Sequence, residues 1–267
     1  MKLPLSALLL SLSLTLPGLV RAETIEPEWS IPRVESVADP DAGPTEAQWN
    51  SLKAFTSFFF PWEKESAPAT SLKLCHDGFR IFFRSDVTDS DVVVLGDPAC
   101  EMDVCGGDRF EIFLDSSDQM TRYYGLEMDP NGRVLDYQAS FYRQFRRQVS
   151  VPGVRVTGER IPNGYRVSGS LDLQQMDRLG LLHLKPGAVY LRAGFFRAEF
   201  SHNPKFSGTQ TNSNAQTNSN AQANSDEKPI LEKWISWKHP GTPEADFHVP
   251  AALGWVKLEE LLGAGGN

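Results

Sequence analysis

The stretch DRFEIFLDSSDQMTRYYGLEMDPNGRVLD, residues 108–136, carries the pattern that decides the fold. Side chains alternate along its first segment, so that one face of a β-strand takes a purely apolar set: Phe110, Ile112 and Leu114. The opposite face takes the residues between them, which include most of the charges: Arg109, Glu111, Phe113 and Asp115. This segment therefore predicts a strand with its apolar side toward a core.

The second half of the stretch repeats the alternation. Tyr124, Leu126 and Met128 fall on one face of RYYGLEMD, and Glu127 falls on the other. Asp-Pro-Asn-Gly at 129–132 then predicts a tight turn, because proline presets φ and Asn-Gly tolerates positive φ. RVLDYQASF follows as a third strand, so the stretch predicts an antiparallel meander.

Alternating segments recur along the rest of the chain, as SLKLCHDGFRIFFRSDV, GYRVSGSLDL and AVYLRAGFFRAEF. The segment LQQMDRLGLL, residues 173–182, is the one that favours a short helix. Short strands separated by turns at this spacing are typical of sandwiches and barrels. We therefore predict one all-β, antiparallel domain over residues 23–267.

The N-terminal residues MKLPLSALLLSLSLTLPGLVRA, 1–22, have the pattern of a secretory signal peptide. Lys2 precedes an apolar run, and Val20-Arg21-Ala22 ends it with a small-residue cleavage pattern. The run is too short to span a bilayer comfortably, and no later segment is a candidate span. The sequence predicts a secreted or periplasmic protein without a membrane span.

A low-complexity segment, SGTQTNSNAQTNSNAQANSDEK, occupies residues 207–228. It contains no apolar side chain larger than alanine, so it cannot bury enough surface to offset the entropy of ordering it. We predict a disordered surface loop that interrupts one domain.

The net charge is −8, from 26 basic and 34 acidic residues. An acidic protein is repelled by phosphate backbones, so we expect no nucleic-acid partner. Arginines cluster in 143–160, where solvated strand faces explain them.

Three cysteines are present, and an exported protein makes a disulfide plausible. Cys100 and Cys105 flank a short loop and are one candidate pair. Cys75 with either partner is equally allowed by the sequence, and one thiol is left over in every case.

The order of motifs resembles the carbohydrate-binding module family 9-like domain, which is related to DOMON-type sandwiches. The residues that carry the resemblance are DRFEIFLD, the Tyr-Tyr strand with its D-P-N-G turn, and the ending ISWKHPGTPEADFHVPAALGWVKL. The resemblance covers roughly residues 30 to 262. It implies a β-sandwich of jelly-roll type that binds sugars without catalysis, in some members with calcium. Such domains occur beside glycoside hydrolases and as free-standing secreted proteins.

The resemblance also implies a candidate ligand site: Arg109, Glu111, Glu127, Phe247 and His248. Two tryptophans clamp the sugar in the sugar-binding members. Here Cys105 stands nearest the place of one, and Phe247 stands in the place of the other. Aromatic faces stack on the apolar face of a pyranose. Trp62 is a possible substitute platform, and His248 suits either ligand contact or structural closure of the last loop.

If Asp115 pairs with Tyr123, Glu111 lies directly opposite Glu127, at about 5 Å. Three interpretations of this pair remain open. It is the hydrogen-bonding floor of a ligand site, or a sheet face that is either wet or paired with an arginine such as Arg109 or Arg192, or the acid pair of a retaining glycosidase, whose carboxyls are about 5 Å apart. No nucleophile–base pair is recognisable, so we predict no catalysis.

Calcium and haem are the two candidate cofactors. Calcium needs several hard oxygen ligands, and the densest acidic cluster offers Asp86, Asp89 and Asp91. Relatives of this sandwich that bind haem use Met, His or Lys as axial ligands, which makes Met102, Met128 and Met176 the candidates here. A methionine at strand spacing is more often a core residue, so we do not expect haem. A haem-binding or interaction-type sandwich stays as the alternative.

Overall fold

The computed structural model describes residues 25–35, 37–96, 100–146, 149–185, 187–202 and 230–261. The predicted signal peptide at 1–22 and the predicted disordered loop at 207–228 lie outside the described residues. Among the helices described, none combines the length and the apolar content that a bilayer crossing requires.

The described chain is built mainly of short strands. In chain order they are β1 (Trp29–Ile31), β2 (Thr70–His76), β3 (Arg80–Thr88), β4 (Arg109–Asp115), β5 (Tyr123–Met128), β6 (Val134–Ser140), β7 (Gln144–Arg146), β8 (Val154–Ile161), β9 (Gly164–Asp172), β10 (His183–Lys185), β11 (Ala188–Ser201), β12 (Ile230–Ser236) and β13 (Gly254–Leu258). The helices are α1 (Glu46–Ser51), α2 (Leu173–Arg178) and two 3-10 helices, Glu101–Gly106 and Pro250–Ala252.

The strands form two sheets. The larger sheet has the order β1-β13-β11-β4-β5-β6-β7, with β10 and β12 also paired to β11. The smaller sheet has the order β2-β3-β9-β8. Every pairing between the described strands is antiparallel except β1 with β13. The predicted all-β, antiparallel sandwich is confirmed.

The inner face of the larger sheet forms the core with the smaller sheet. The six residues predicted as the core side of the meander are at most 2% exposed: Phe110, Ile112, Leu114, Tyr124, Leu126 and Met128. They belong to one apolar cluster with Leu72, Phe83 and Val167 of the smaller sheet. Burying a side chain of this kind stabilises the fold by about 1.5–3 kcal/mol. The alternation in the sequence therefore identifies the residues that stabilise this layer.

The outer face of β4 and β5 is buried as well. Every residue of both strands is buried, whereas a sheet with one wet face would alternate between buried and exposed. The C-terminal segment covers this face, since Phe247 packs on Phe196 and His248 packs on Phe113. The charged residues of the outer face therefore lie inside the protein.

The Asp-Pro-Asn-Gly turn forms as predicted between β5 and β6. One carboxylate oxygen of Asp129 accepts from the backbone N–H groups of Asn131 (3.0 Å) and Arg133 (2.9 Å). Gly132 has φ of 81°, and a Cβ there would lie 2.6 Å from the backbone nitrogen of Gly158. Glycine is required at this position both for the positive φ and for the close approach of the two backbone segments.

The helices differ in part from the prediction. Helix α1 was not predicted, although Thr45 and Gln48 form a capping box at its start, which is a recognisable sequence signal. Helix α2 ends at Arg178, before the predicted limit of residue 182. The reason is Gly180, which has φ of 73° and stops the helix.

Candidate functional site

Glu111 in β4 and Glu127 in β5 lie directly opposite each other. The same register pairs Asp115 with Tyr123, as the sequence predicted. Residues opposite each other on neighbouring strands share a face of the sheet. Both carboxylates therefore lie on the outer face, beneath the segments that cover it.

Arg109 bridges the two carboxylates. Its Nε lies 2.8 Å from Oε1 of Glu111 and 2.9 Å from Oε2 of Glu127. Its Nη1 donates to the carbonyl oxygens of Cys105 (3.2 Å) and Gly107 (3.3 Å). The exposed fractions of Arg109, Glu111 and Glu127 are 5%, 2% and 7%. The geometry corresponds to the interpretation of an arginine-paired face.

Arg109 and Arg192, the two candidate partners of the acid pair, have different contacts. The guanidinium of Arg109 lies 5.2 Å from the ring centroid of Trp234. Arg192, the other candidate partner of the acids, instead donates to the carbonyl oxygen of Pro250 at 2.9 Å and lies 5.3 Å from the ring centroid of Trp255. Arg109 is thus the cation that the acid pair uses.

Burial controls the electrostatics of this cluster. It raises the pKa of Glu111 to about 8, although the charge of Arg109 acts in the opposite direction and that of Glu127 adds to the rise. Two buried carboxylates that face each other repel, and one guanidinium balances only one negative charge. A proton held on Glu111 near neutral pH leaves the cluster without net charge.

Cys105 contributes its thiol to the same cluster. Its Sγ lies 3.8 Å from Oε2 of Glu127. None of the three cysteines forms a disulfide, so the candidate pair of Cys100 with Cys105 is not bonded. Residues 101–106 form a 3-10 helix, whose rise of about 2 Å per residue carries Cys105 away from Cys100, and a disulfide requires Cα atoms closer than about 7 Å.

Phe247 stacks on Phe196 with ring centroids 4.1 Å apart and an angle of 11° between the planes. Trp62 and Trp234 pack around it, with centroids 5.5 Å and 5.7 Å away. The side chain is 5% exposed. Its ring faces are occupied by the protein, so the predicted stacking platform is part of the core in this structure. Trp62, the substitute platform, is partly buried by the same contacts, and its Nε1 donates to the carbonyl oxygen of Thr242.

His248 is the predicted ligand residue that is partly exposed. Its Nδ1 lies 2.9 Å from the hydroxyl of Tyr123. Its ring packs on Phe113 and Phe145, with centroids 5.0 Å and 5.2 Å away. Both interpretations of this histidine therefore fit its position: it closes the last loop, and it lies at the border of the covered face.

A cluster that the sequence did not reveal lies beside His248, where the β6–β7 turn meets the C-terminal segment. The hydroxyl of Tyr142 donates to Asp246 at 2.6 Å, and Nη2 of Arg143 donates to the other carboxylate oxygen at 2.9 Å. The backbone N–H of His248 also donates to Asp246, at 2.9 Å. We call Phe141, Tyr142, Arg143 and Asp246 the rim cluster.

The three aspartates predicted as calcium ligands do not converge. Asp86 forms a two-bond ion pair with Arg166, its cross-strand neighbour. Asp91 accepts from the hydroxyl of Ser201 (2.6 Å) and the backbone of His202 (2.8 Å). Only Asp89 is deeply buried. Asp86 and Asp91 thus have protein partners of their own, and calcium at these three aspartates stays a prediction.

Asp89 instead joins two acids from distant parts of the chain. One carboxylate oxygen each from Asp89, Asp108 and Glu199 lies within 4.8 Å of the others, and all three residues are buried. Arg197 is hydrogen-bonded to Glu199 and lies 4.0 Å from Oδ2 of Asp89. We call Asp89, Asp108 and Glu199 the acidic trio.

The candidate haem ligands lie on three different elements: β5, α2 and the first 3-10 helix. Met128 and Met176 are fully buried in the apolar core, which is the role that their spacing favoured. Met102 lies on the first 3-10 helix and is 43% exposed.

A family model described as carbohydrate family 9 binding domain-like matches residues 42–261. No curated protein matches the chain. Domains of this family are binding modules rather than catalysts, which supports the prediction that the protein is not an enzyme.

The solved structures that match this chain are distant in sequence. A candidate carbohydrate-binding protein from Bacteroides uniformis ATCC 8492 is 17% identical, with 86% of this chain and 98% of that chain covered and a TM-score of 0.56. Two structures of a family 9 carbohydrate-binding module from Caldicellulosiruptor kristjanssonii also match over 86% of this chain. The complex with glucose is 15% identical over 95% of its chain, with a TM-score of 0.46. The complex with cellotriose is 14% identical over 92% of its chain, with a TM-score of 0.49. Since the family model spans most of its length, the protein is a member of the carbohydrate family 9 binding domain-like family.

Proposed function

We propose that this protein is an exported module that binds carbohydrate without converting it. The observation that carries the proposal is the family match over residues 42–261. The sandwich architecture and an outer sheet face lined with aromatic and charged side chains support it, because sugar sites combine apolar ring surfaces with a few fixed polar groups.

The geometry of the acid pair favours binding over hydrolysis. A retaining glycosidase holds the scissile bond between two carboxyls. Here the guanidinium of Arg109 lies between Glu111 and Glu127, within 3 Å of each. Substrate therefore has no access to the space that the mechanism needs. We assign the three side chains a structural role, in which they hold the outer face in shape.

Calcium binding is part of the proposal, at residues that differ from the predicted set. The acidic trio offers hard carboxylate oxygens, which calcium prefers. Oδ2 of Asp89 is buried and has no hydrogen-bond partner among the described residues. Asp108 and Asp89 repel each other, which together with burial raises the pKa of Asp108 to about 9. Asp89, Asp108 and Glu199 would hold the ion, and it would supply the positive charge that Arg197 alone does not.

Such an ion would act structurally. Asp108 accepts from the backbone N–H groups of Val93 (2.6 Å) and Phe200 (2.7 Å), so it already ties the start of β4 to a loop and to the end of β11. A cation beside it would strengthen this connection without taking part in sugar chemistry.

Secretion or periplasmic location, and work beside a glycoside hydrolase in carbohydrate catabolism, complete the proposal. The signal-peptide pattern supports the location. The occurrence of the resembling domains beside glycoside hydrolases supports the association. Fractionation of the native cells checks the location. Co-purification of a hydrolase with the tagged protein checks the association.

The central test is a glycan-array screen followed by calorimetry, with and without calcium, and incubation with chromogenic glycosides. We expect a sugar to bind and no glycoside to be cleaved. Absence of binding at millimolar sugar in both conditions would remove the carbohydrate function. Turnover that disappears in Glu111→Gln would establish the glycosidase alternative, and a Soret band in the natively purified protein would establish the haem alternative.

A further inference from the structure

Two neighbouring aromatic side chains are half exposed at the edge of the covered face. Phe141 is 51% exposed and Tyr142 is 50% exposed. Their ring centroids are 5.4 Å apart at an angle of 65°. Among the described residues, the other exposed large aromatic side chain is Phe79, in the turn between β2 and β3. An adjacent pair of exposed rings calls for a function, because large apolar side chains at a surface mark binding sites when they cluster.

The rings are held in a fixed position. Asp246 accepts from the hydroxyl of Tyr142 and from the guanidinium of Arg143, at 2.6 Å and 2.9 Å. Arg143 has φ of 56°, and a residue with a side chain adopts this left-handed conformation only where the surroundings hold it there. The turn is therefore ordered before any ligand arrives, which lowers the entropic cost of binding.

Polar groups border the rings on the side of the C-terminal segment. The side chain of Arg143 is 39% exposed, and that of Asp246 is 12% exposed. Hydrogen bonds from Tyr142 and Arg143 hold the pKa of Asp246 below its usual range, against the effect of its burial. A charged donor and a charged acceptor thus lie next to an apolar ring surface.

We propose that the rim cluster is the sugar platform of this protein: Phe141 and Tyr142 pack against pyranose rings of a polysaccharide, and Arg143 and Asp246 bind its hydroxyls. This inference rests on the proposed carbohydrate function and names its site. A pyranose presents an apolar C–H face with hydroxyls around it, which is the chemistry that the rim cluster complements.

The position of the rim cluster is consistent with the burial of the ligand residues that the family resemblance implies. Phe247 is stacked inside the protein, and Glu111 and Glu127 are buried around Arg109. Asp246 immediately precedes Phe247 and His248, so the rim cluster lies at the end of the segment in which the family resemblance places one half of the clamp. Exposed rings at the rim take over the task that the buried phenyl ring does not perform.

Calorimetric titration with cellotriose, xylotriose and chitotriose tests the proposal on four proteins. These are the full-length wild type, Phe141→Ala, Tyr142→Ala and Tyr142→Phe. We expect Phe141→Ala and Tyr142→Ala to weaken binding about fivefold or more, since a stacking contact contributes about 0.5–1.5 kcal/mol beyond the area it buries. Tyr142→Phe keeps the ring and is expected to lose less affinity. Phe79→Ala, which removes an exposed ring on the smaller sheet, is the matched control and keeps wild-type affinity.

The outcomes separate this proposal from the function on which it rests. Unchanged affinity in Phe141→Ala and Tyr142→Ala, with thermal stability equal to the wild type, overturns the rim platform and leaves carbohydrate binding in place. Loss of affinity in these variants, with Phe79→Ala unaffected, supports it. If none of the three sugars, nor any sugar of the array, binds the wild type, both the platform and the carbohydrate function are rejected.

Discussion

Phe247 lies parallel to Phe196, with 4.1 Å between ring centroids, on the face of the larger sheet that looks away from the smaller one. The family resemblance assigned this ring to a ligand, and the fold uses it as a cover. A side chain that packs in this way contributes to stability in the absence of any sugar.

Phe247→Ala is therefore expected to destabilise the protein by about 3–5 kcal/mol, because it opens a cavity over the outer face. Urea unfolding followed by tryptophan fluorescence measures the change. Phe79→Ala serves as the control, since that ring is 76% exposed, and it is expected to stay within about 0.5 kcal/mol of the wild type. A Phe247→Ala protein of wild-type stability would show that the stacked arrangement does not hold in solution.

Arg109→Met should destabilise the protein by about 3–5 kcal/mol, because it leaves the buried charge of Glu127 and the buried carboxyl group of Glu111 without a cation. Adding Glu111→Gln and Glu127→Gln to the same protein should restore most of the loss, since neutral amides need no counter-charge. Denaturant titration of the single and triple variants gives both values. Equal stability of the two variants would mean that Arg109 contributes by packing alone.

Stability should fall as the pH rises from about 5 to about 8, through Glu111. The pKa of this carboxyl is 4.5 in its ordinary state and about 8 in the folded protein. The folded state retains a proton that the unfolded state releases, so the stabilisation is complete below the ordinary pKa and is lost as the pH passes the folded one. The slope approaches about 1.4 kcal/mol per pH unit for one such proton.

Glu111→Gln checks this dependence, because glutamine does not titrate. Urea midpoints at pH 5 and pH 8 should differ less in the variant than in the wild type. A parallel decline in both proteins would assign the pH effect to other groups.

Calcium should raise the unfolding temperature through the acidic trio. Ligand present at one hundred times its dissociation constant stabilises the folded state by about 2.7 kcal/mol. Differential scanning calorimetry in calcium and in EDTA is the measurement. Asp89→Asn should abolish the difference, whereas Asp86→Asn should keep it, because Asp86 is paired with Arg166. A difference that survives in Asp89→Asn would place the ion elsewhere.

The meander could be predicted because its determinants are local. Strict alternation fixes the faces of β4 and β5, and the Asp-Pro-Asn-Gly turn fixes the next register. The opposition of Glu111 and Glu127 follows from a single pairing near the β4–β5 loop. Each of these signals lies within a few residues of its effect.

The rest of the site depends on contacts between distant segments. Tyr142 and Asp246 are 104 residues apart, and the acidic trio joins residues 89, 108 and 199. Burial of Arg109 and Phe247 depends on a C-terminal segment that folds back over the sheet. No periodic pattern encodes these approaches, so the sequence alone could not predict that the face carrying Glu111 and Glu127 is covered.

The burial of both faces of β4 and β5 also affects how fast their backbone amides exchange hydrogen. Backbone amides of β4 and β5 lie under two packed layers, so their hydrogen exchange should require opening of the whole domain, whereas amides of β8, whose side chains alternate with solvent, should exchange through local openings. The two rings of the rim cluster lie on the turn that follows β6, the strand paired with β5. Substitutions in the β6–β7 turn can change what the surface recognises while the framework beneath it stays closed.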